Sequence, residues 1–374
     1  MDNKDTNALD RIRAEVEKID KKENTIYFFV IDTKGVPSGS LEYIYRLAKI
    51  VKDGGYNVTM LYQQDDKDED SEFVGVGEWL GEEFAKLPHE NINNEETSVA
   101  PSDVLFIPEI FSNIMMQTKT LPCKRVAIMQ NYNFLVEQTP MASQWGDFGI
   151  MDAVVNTSAN EALLKDIFPY VHTTVVEPYI SDLFGETNEP KKMIINVVSK
   201  KQDDINKIVK PFYWKYPAYK WVSFRDLRGY PKSMFAQMLR EAAITIWVDE
   251  DASFGYTPLE AMKSGNIVIA KITNIEQKWM CDENGDLNYS CLWFNSFHNI
   301  HKLIATAVRV WISDKVPQRL LDEEKKVLSL YSQEKTRDTM LGYIENLMNK
   351  RKEEMEEVAM LVHEKNNVEE EKKD

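Results

Sequence analysis

Ala252-Ser-Phe-Gly-Tyr-Thr-Pro-Leu-Glu-Ala-Met-Lys-Ser-Gly-Asn-Ile-Val-Ile-Ala270 is the stretch on which the fold turns. It reads as loop, helix, turn and strand. Ser253 to Tyr256 make a short Gly-containing loop after the strand-like run Ala243 to Val248. Thr257 is a good N-cap, Pro258 suits the first helical position, and Glu260, three residues after Thr257, completes a capping box. Gly265 is a helix stop, and Asn266 to Ala270 is an apolar, β-branched run. A Gly loop that feeds a helix after a buried strand leaves backbone N–H groups pointing outward at a positive dipole end, which is a geometry that binds phosphate. An ordinary βαβ crossover has the same pattern, so these residues fix an α/β unit before they fix a ligand.

The same alternation runs outward in both directions. Thr25 to Asp32 is a near-continuous apolar strand of the kind buried in a parallel sheet. Asp32 to Ser40 is a loop with Gly35 and Gly39, Ser40 caps a helix over Leu41 to Lys52, Gly54-Gly55 stops it, and Tyr56 to Tyr62 is the next strand. That places a Gly loop at the carboxyl end of the first strand, where open α/β sheets bind ligands. Val104 to Pro108 and Arg125 to Met129 are further strands, ending at Glu109 and at Gln130-Asn131. Gly185 to Lys192 has linker composition, and after it the alternation restarts with Met193 to Ser199 and Trp221 to Phe224. The expected division is a helical extension over 1–24, a first Rossmann-like domain over 25–185, a second over 186–320, and charged helices with a loose tail over 321–374.

Phe254-Gly255, then Leu259-Glu260-Ala261-Met262, then Gly265 and Val268-Ile269 resemble the donor-site signature of GT-B glycosyltransferases, in particular the large retaining family 4 that uses nucleotide sugars. The resemblance implies two Rossmann-like domains facing across a cleft, an acceptor domain first and a donor domain second. It implies a metal-independent transfer of a sugar from a nucleotide-diphosphate sugar to an acceptor, with no further cofactor. The donor would meet Ser253, Phe254, Gly255, Tyr256 and Thr257 at the diphosphate, Glu260 at the ribose, and the Gly35/Gly39 loop near the sugar. Lys200 or Lys201, with Lys207, fall where the family has an Arg and a Lys, although lysine lacks the bidentate fork. Two departures oppose catalysis. Ala252 stands where the family has a glutamate, and no histidine follows the first-domain strands, which leaves Glu109 as the candidate base. The alternative is a non-catalytic GT-B-like binding or structural protein.

Composition narrows the classes. Of 374 residues 43% are hydrophobic, enough for two packed domains. No run of eighteen apolar residues and no apolar signal core behind the charged Met1-Asp-Asn-Lys-Asp are present, and only Cys123, Cys281 and Cys291 occur, so a cytoplasmic, reducing setting is expected. A net charge of −16 disfavours nucleic acid and anionic lipid as general partners. His298 and His301 could form a metal pair but suit a surface helix better. Asp249-Glu-Asp251 imitates a DxD metal motif in the setting of an acidic loop. Lys210 to Trp221 mixes lysines with aromatics, and either packs on the second domain or touches a membrane interface or a sugar. Phe73 to Gly81, three glycines around Trp79, fits none of these patterns. Oligomeric state is open.

Overall fold

The computed structural model describes residues 3–64, 73–94, 98–275 and 277–371, and most of the acidic loop expected over Gln63 to Glu72 lies outside them. The first half runs α1 (Asn3–Asp20), β1 (Thr25–Phe29), α2 (Gly39–Asp53), β2 (Asn57–Tyr62), α3 (Glu82–Ala85), β3 (His89–Asn91), β4 (Val104–Pro108), α4 (Ser112–Gln117), β5 (Lys124–Met129), α5 (Tyr132–Gln138), β6 (Asp152–Val155), α6 (Ser158–Ile167) and β7 (His172–Val175). The second runs β8 (Lys192–Val198), α7 (Asp204–Lys215), β9 (Ser223–Asp226), α8 (Lys232–Glu241), β10 (Ala242–Trp247), α9 (Tyr256–Lys263), β11 (Ile267–Lys271), β12 (Leu292–Phe294), α10 (Phe297–Ile312), α11 (Gln318–Ser329) and α12 (Gln333–Glu371).

Among the described residues these strands make two sheets, of order β3-β2-β1-β4-β5-β6-β7 and β12-β11-β10-β8-β9, with every pairing parallel. Alternation on a twofold period decides which face each strand residue serves. Ile26 and Phe28 of β1 turn to one apolar cluster with Leu47 of α2 and Ile344 of α12, while Tyr27 and Phe29 turn to another with Trp145 and Leu164 of α6. In the second sheet Ile244 and Ile246 of β10 pack with α7 and α10, and Trp247 packs with α8 and α9. Both faces of both sheets are covered, which explains why the strands read as continuous apolar runs.

The chain crosses from one sheet to the other twice. It leaves the first domain after β7 and returns through α11 into α12, and the two crossings touch where Ile180 N–H donates to Tyr331 O at 3.1 Å. α12 then lies on the first domain. Met340, Ile344, Leu347, Met348 and Met355 are buried in its core, at about 1.5–3 kcal/mol for each fully buried side chain. Lys352 pairs with Asp20 of α1 at 2.7 Å.

Three local readings need correction. The cap of α2 is Ser38, whose Oγ accepts from Leu41 N–H at 3.4 Å, so Ser40 lies inside the helix. α9 begins at Tyr256 behind Gly255, not at Pro258 behind Thr257, and there is no capping box. Gly255 takes φ +78°, which lets the chain turn into the helix one residue after a buried Phe254, and Pro258 sits in the first turn where its missing N–H costs nothing. The charged helices expected over 321–374 come as two, α11 and α12, separated between Ser329 and Gln333, and the second lies on the first domain. The loose tail expected at the end of 321–374 is helical as far as Glu371.

Candidate active site at the interdomain cleft

The strand order of the second sheet reverses between β8 and β10, whose carboxyl ends therefore open a crevice. Ser199-Lys200 follows β8 and Asp249 follows β10, and Lys200 Nζ stands 2.7 Å from Asp249 Oδ2. This ion pair borders two chambers. The larger, about 420 Å³, lies between the domains and is lined by Ser38, Gly39, Glu42 and Trp79 on one side and by Arg228, Lys232, Tyr256, Thr257 and Glu260 on the other. The smaller, about 260 Å³, is lined by Lys201, Asp204, Lys207, Lys271 and Phe297. Lys200, Ser199 and Asp249 line both.

Two helix N-termini meet at the larger chamber. A Cβ on Gly39, the first residue of α2, would lie 3.5 Å from the Tyr256 ring, the first residue of α9. Neither helix has more than one acidic residue in its first turn, and Gly255 brings no side chain to cap α9. Both positive dipole ends therefore point at the same space. Gly255 holds this arrangement tightly, because a Cβ there would lie 3.1 Å from the Trp247 ring and 3.2 Å from the Trp279 ring at a φ that L side chains avoid. Gly255→Ala is expected to cost about 2–4 kcal/mol from strain and overpacking together, readable as a lowered denaturation midpoint.

Beneath the chamber a buried charge network joins the domains. Lys232 Nζ lies 2.8 Å from Glu42 Oε2 and 2.5 Å from Glu260 Oε1, and Arg46 Nη2 lies 2.5 Å from Glu42 Oε1. Glu42 and Glu260 are each 1% exposed. Burial pushes the Glu42 carboxyl up, but Arg46 and Lys232 together hold it below the ordinary range. Glu260 has the weaker cationic surroundings, and burial leaves it raised. Lys232 is raised despite burial, by the two carboxylates that flank it. The Tyr256 hydroxyl and the Trp79 indole N–H are buried with no hydrogen-bond partner among the described residues.

The residues singled out from sequence divide accordingly. Gly39, Lys200, Tyr256, Thr257 and Glu260 line the larger chamber; Lys200, Lys201 and Lys207 line the smaller, with Lys207 paired to Asp204 at 3.0 Å. Gly35, Ser253, Phe254, Gly255 and Glu109 line neither. Phe254 is buried, and its carbonyl accepts from Trp279 Nε1–H at 2.7 Å. Ser253 Oγ accepts from Asn156 Nδ2–H across the domains at 3.3 Å. Glu109 is 1% exposed, and its Oε1 accepts from Gln130 N–H and Asn131 N–H at 3.0 and 2.7 Å. Burial raises its carboxyl to about 7.

Asp249, Glu250 and Asp251 are separately engaged by Lys200, Lys271 and Asn274, and among the described residues no group of three or more His, Cys, Asp or Glu side chains is placed to hold a metal. Sequence reading missed Lys232, Arg46 and Trp79. The only signal was Trp79 among its glycines: Trp79 is 3% exposed, lines the chamber, and its carbonyl accepts from Lys232 N–H at 2.8 Å.

Two parallel Rossmann-like sheets facing across a cleft, with the last helix returning to the first domain, define the GT-B fold, and the chain has it. Among solved structures the chain is similar to a sucrose-phosphate synthase from Thermosynechococcus elongatus, with TM-score 0.60 and 12% identity over 87% of this chain and 100% of that one. It is similar to Anabaena HepE in complex with UDP-glucose, with TM-score 0.58 and 10% identity over 86% and 99%. It is also similar to the pneumococcal O-GlcNAc transferase GtfA in complex with UDP and GlcNAc, with TM-score 0.57 and 9% identity over 87% and 99%. An alpha-1,6-glucosyltransferase of Actinobacillus pleuropneumoniae serotype 7 is 26% identical over 190 residues, which are 50% of this chain and 57% of that protein. No protein-family profile matches the sequence.

Proposed function

We propose that the chain is a glycosyltransferase that takes a sugar from a nucleotide-diphosphate donor held in the larger chamber. The observation that carries this reading is the meeting of the α2 and α9 N-termini over one space at the β8/β10 switch point. A diphosphate there would be offset by two dipole ends and by Lys200, once that lysine swings from Asp249. Glu260 commits one oxygen to Lys232 and would offer the other to the ribose hydroxyls. In transfer, the acceptor oxygen bonds to the anomeric carbon as the bond to the diphosphate oxygen breaks. Glu42 and Glu260 of this chamber are both engaged by Lys232, and the departing diphosphate oxygen takes the acceptor proton as its bond to the anomeric carbon breaks. Retention of configuration and independence from metal belong to the same proposal and rest on the likeness of the 252–270 segment to retaining enzymes. So does a cytoplasmic, reducing setting, which rests on cysteine usage.

A second reading keeps the binding and drops the chemistry. It is favoured by Ala252, and by the ion pairs that already occupy Lys200 and Glu260. Thermal unfolding with UDP-, GDP- and ADP-sugars, followed by a search for released nucleotide, separates the two. A raised midpoint with one donor and nucleotide release is expected. A raised midpoint without release selects the binder, and no shift with any donor removes both. Lys200→Ala should weaken donor binding by about tenfold while leaving the unliganded midpoint nearly unchanged, since an exposed ion pair contributes little.

A further inference from the structure

We propose that the outer face of the second domain, formed by α7 and α10, docks on an anionic lipid surface. The chain carries a net −16, yet Ile205 to Arg225 contains Lys207, Lys210, Lys215 and Lys220 and no Asp or Glu. Phe297 to Ser313 contains Lys302 and Arg309 and likewise no acid. These two segments are neighbours in space. Ile208 and Phe212 of α7 share one cluster with Ile300, Ile304 and Val308 of α10, and the Tyr216 and His301 rings lie 6.1 Å apart. The uneven charge is therefore gathered on two adjacent helices. Lys210, Lys215 and Lys220 are exposed and take part in no ion pair among the described residues, while Lys207 pairs with Asp204. The acidic remainder of the molecule acts weakly there, because charges in water are screened over about 8 Å at physiological salt.

The apolar component sits at the far end of the same face. Phe212, Tyr213, Tyr216 and Tyr219 pack on the second domain, as one reading of the segment expected. Trp214 and Trp221 do not: they are 77% and 53% exposed. Tyr213 Oη–H donates to the Val222 carbonyl at 2.6 Å, which pins the helix end to the strand start and holds both indoles beside that bond. α7 and α10 each follow a strand of one parallel sheet, so they run the same way, and Ile312, 52% exposed, adds an aliphatic side chain at the end of α10. Indoles favour the headgroup region, and lysine stems lie along apolar surface while their ammonium groups meet phosphate. The other end of the face reaches the smaller chamber, where Lys207 and Phe297 are lining residues. Lys207 and Trp214 are separated by about 10 Å of helix, so a chain seated this way opens that chamber near the lipid headgroups.

The test uses the full chain and sedimented vesicles of phosphatidylcholine, alone or with about one third phosphatidylglycerol. Partition onto the anionic vesicles only, falling as salt is raised, is expected. Lys210→Gln, Lys215→Gln and Lys220→Gln together should lower it by on the order of a hundredfold, about fivefold for each lysine. Trp214→Ser with Trp221→Ser should lower it at least about tenfold, with an unchanged melting midpoint because both rings are exposed. No partition at low salt overturns the proposal, as does partition that ignores both variants. Retention of single-stranded RNA by the same lysines without vesicle binding would also overturn it and assign the face to nucleic acid. Donor binding does not enter any of these readouts.

Discussion

Lys232→Ala is expected to lower the free energy of unfolding by about 3–5 kcal/mol, the loss associated with stranding a buried charge. Glu42 keeps Arg46 after this change, but among the described residues Glu260 has no other ion-pair partner. Because Lys232 and Glu260 belong to the second domain and Glu42 to the first, the damage falls on the domain contact as well as on the second core. Calorimetry should therefore resolve a transition that is lower and less cooperative than that of the parent. Lys232→Met combined with Glu260→Gln should recover most of the loss, since it removes both charges instead of one. If the single variant melts within about 1 kcal/mol of the parent, Lys232 is not the cation on which this contact rests.

Glu109→Gln carries the second large effect, and its sign depends on pH. Burial raises the folded carboxyl from the ordinary 4.5 to about 7. A group raised on folding gives stability that is fully present below its unfolded value and is lost as pH climbs through its folded value. The gap of about 2.5 pH units corresponds to about 3 kcal/mol lost by pH 8. Glutamine can still accept from Gln130 N–H and Asn131 N–H but cannot ionise. Denaturant titrations at pH 4.5 and pH 8 should show the variant gaining about 3 kcal/mol on the parent between them. A difference independent of pH would mean that Glu109 reaches water or a cation. Glu109 lines neither chamber, so glycosyl transfer in the variant should stay within about tenfold of the parent. A fall beyond a hundredfold would instead make Glu109 the base.

What was readable from sequence and what was not have separate physical causes. The strands were legible because each buried strand is apolar on both sides: Thr25 to Phe29 and Ala242 to Trp247 admit one reading. The two-sheet arrangement followed from the linker composition near Gly185 and from the restart of alternation after it. Local capping chemistry misled at α9, where Thr257 and Glu260 satisfy the box pattern, but the backbone turns two residues earlier at Gly255 and Glu260 faces Lys232. Lys232 was invisible because its partners lie 28 positions ahead and on another domain, and no spacing rule joins Glu42, Lys232 and Glu260. The 210–221 segment was half legible: its composition left packing and outward contact both open, and only burial could tell the packed tyrosines from the exposed indoles.

The pair of crossings tied at Ile180 and Tyr331 has a mechanical meaning. A body joined to its neighbour by two adjacent strands of chain can swing about them like a door on two pins, but it cannot slide or twist freely. Any widening of the cleft to admit a donor must then be a rotation whose axis runs beside those residues and close to the Arg46–Glu42–Lys232 network, because Arg46 Nη1–H donates to the Tyr179 carbonyl at 2.6 Å.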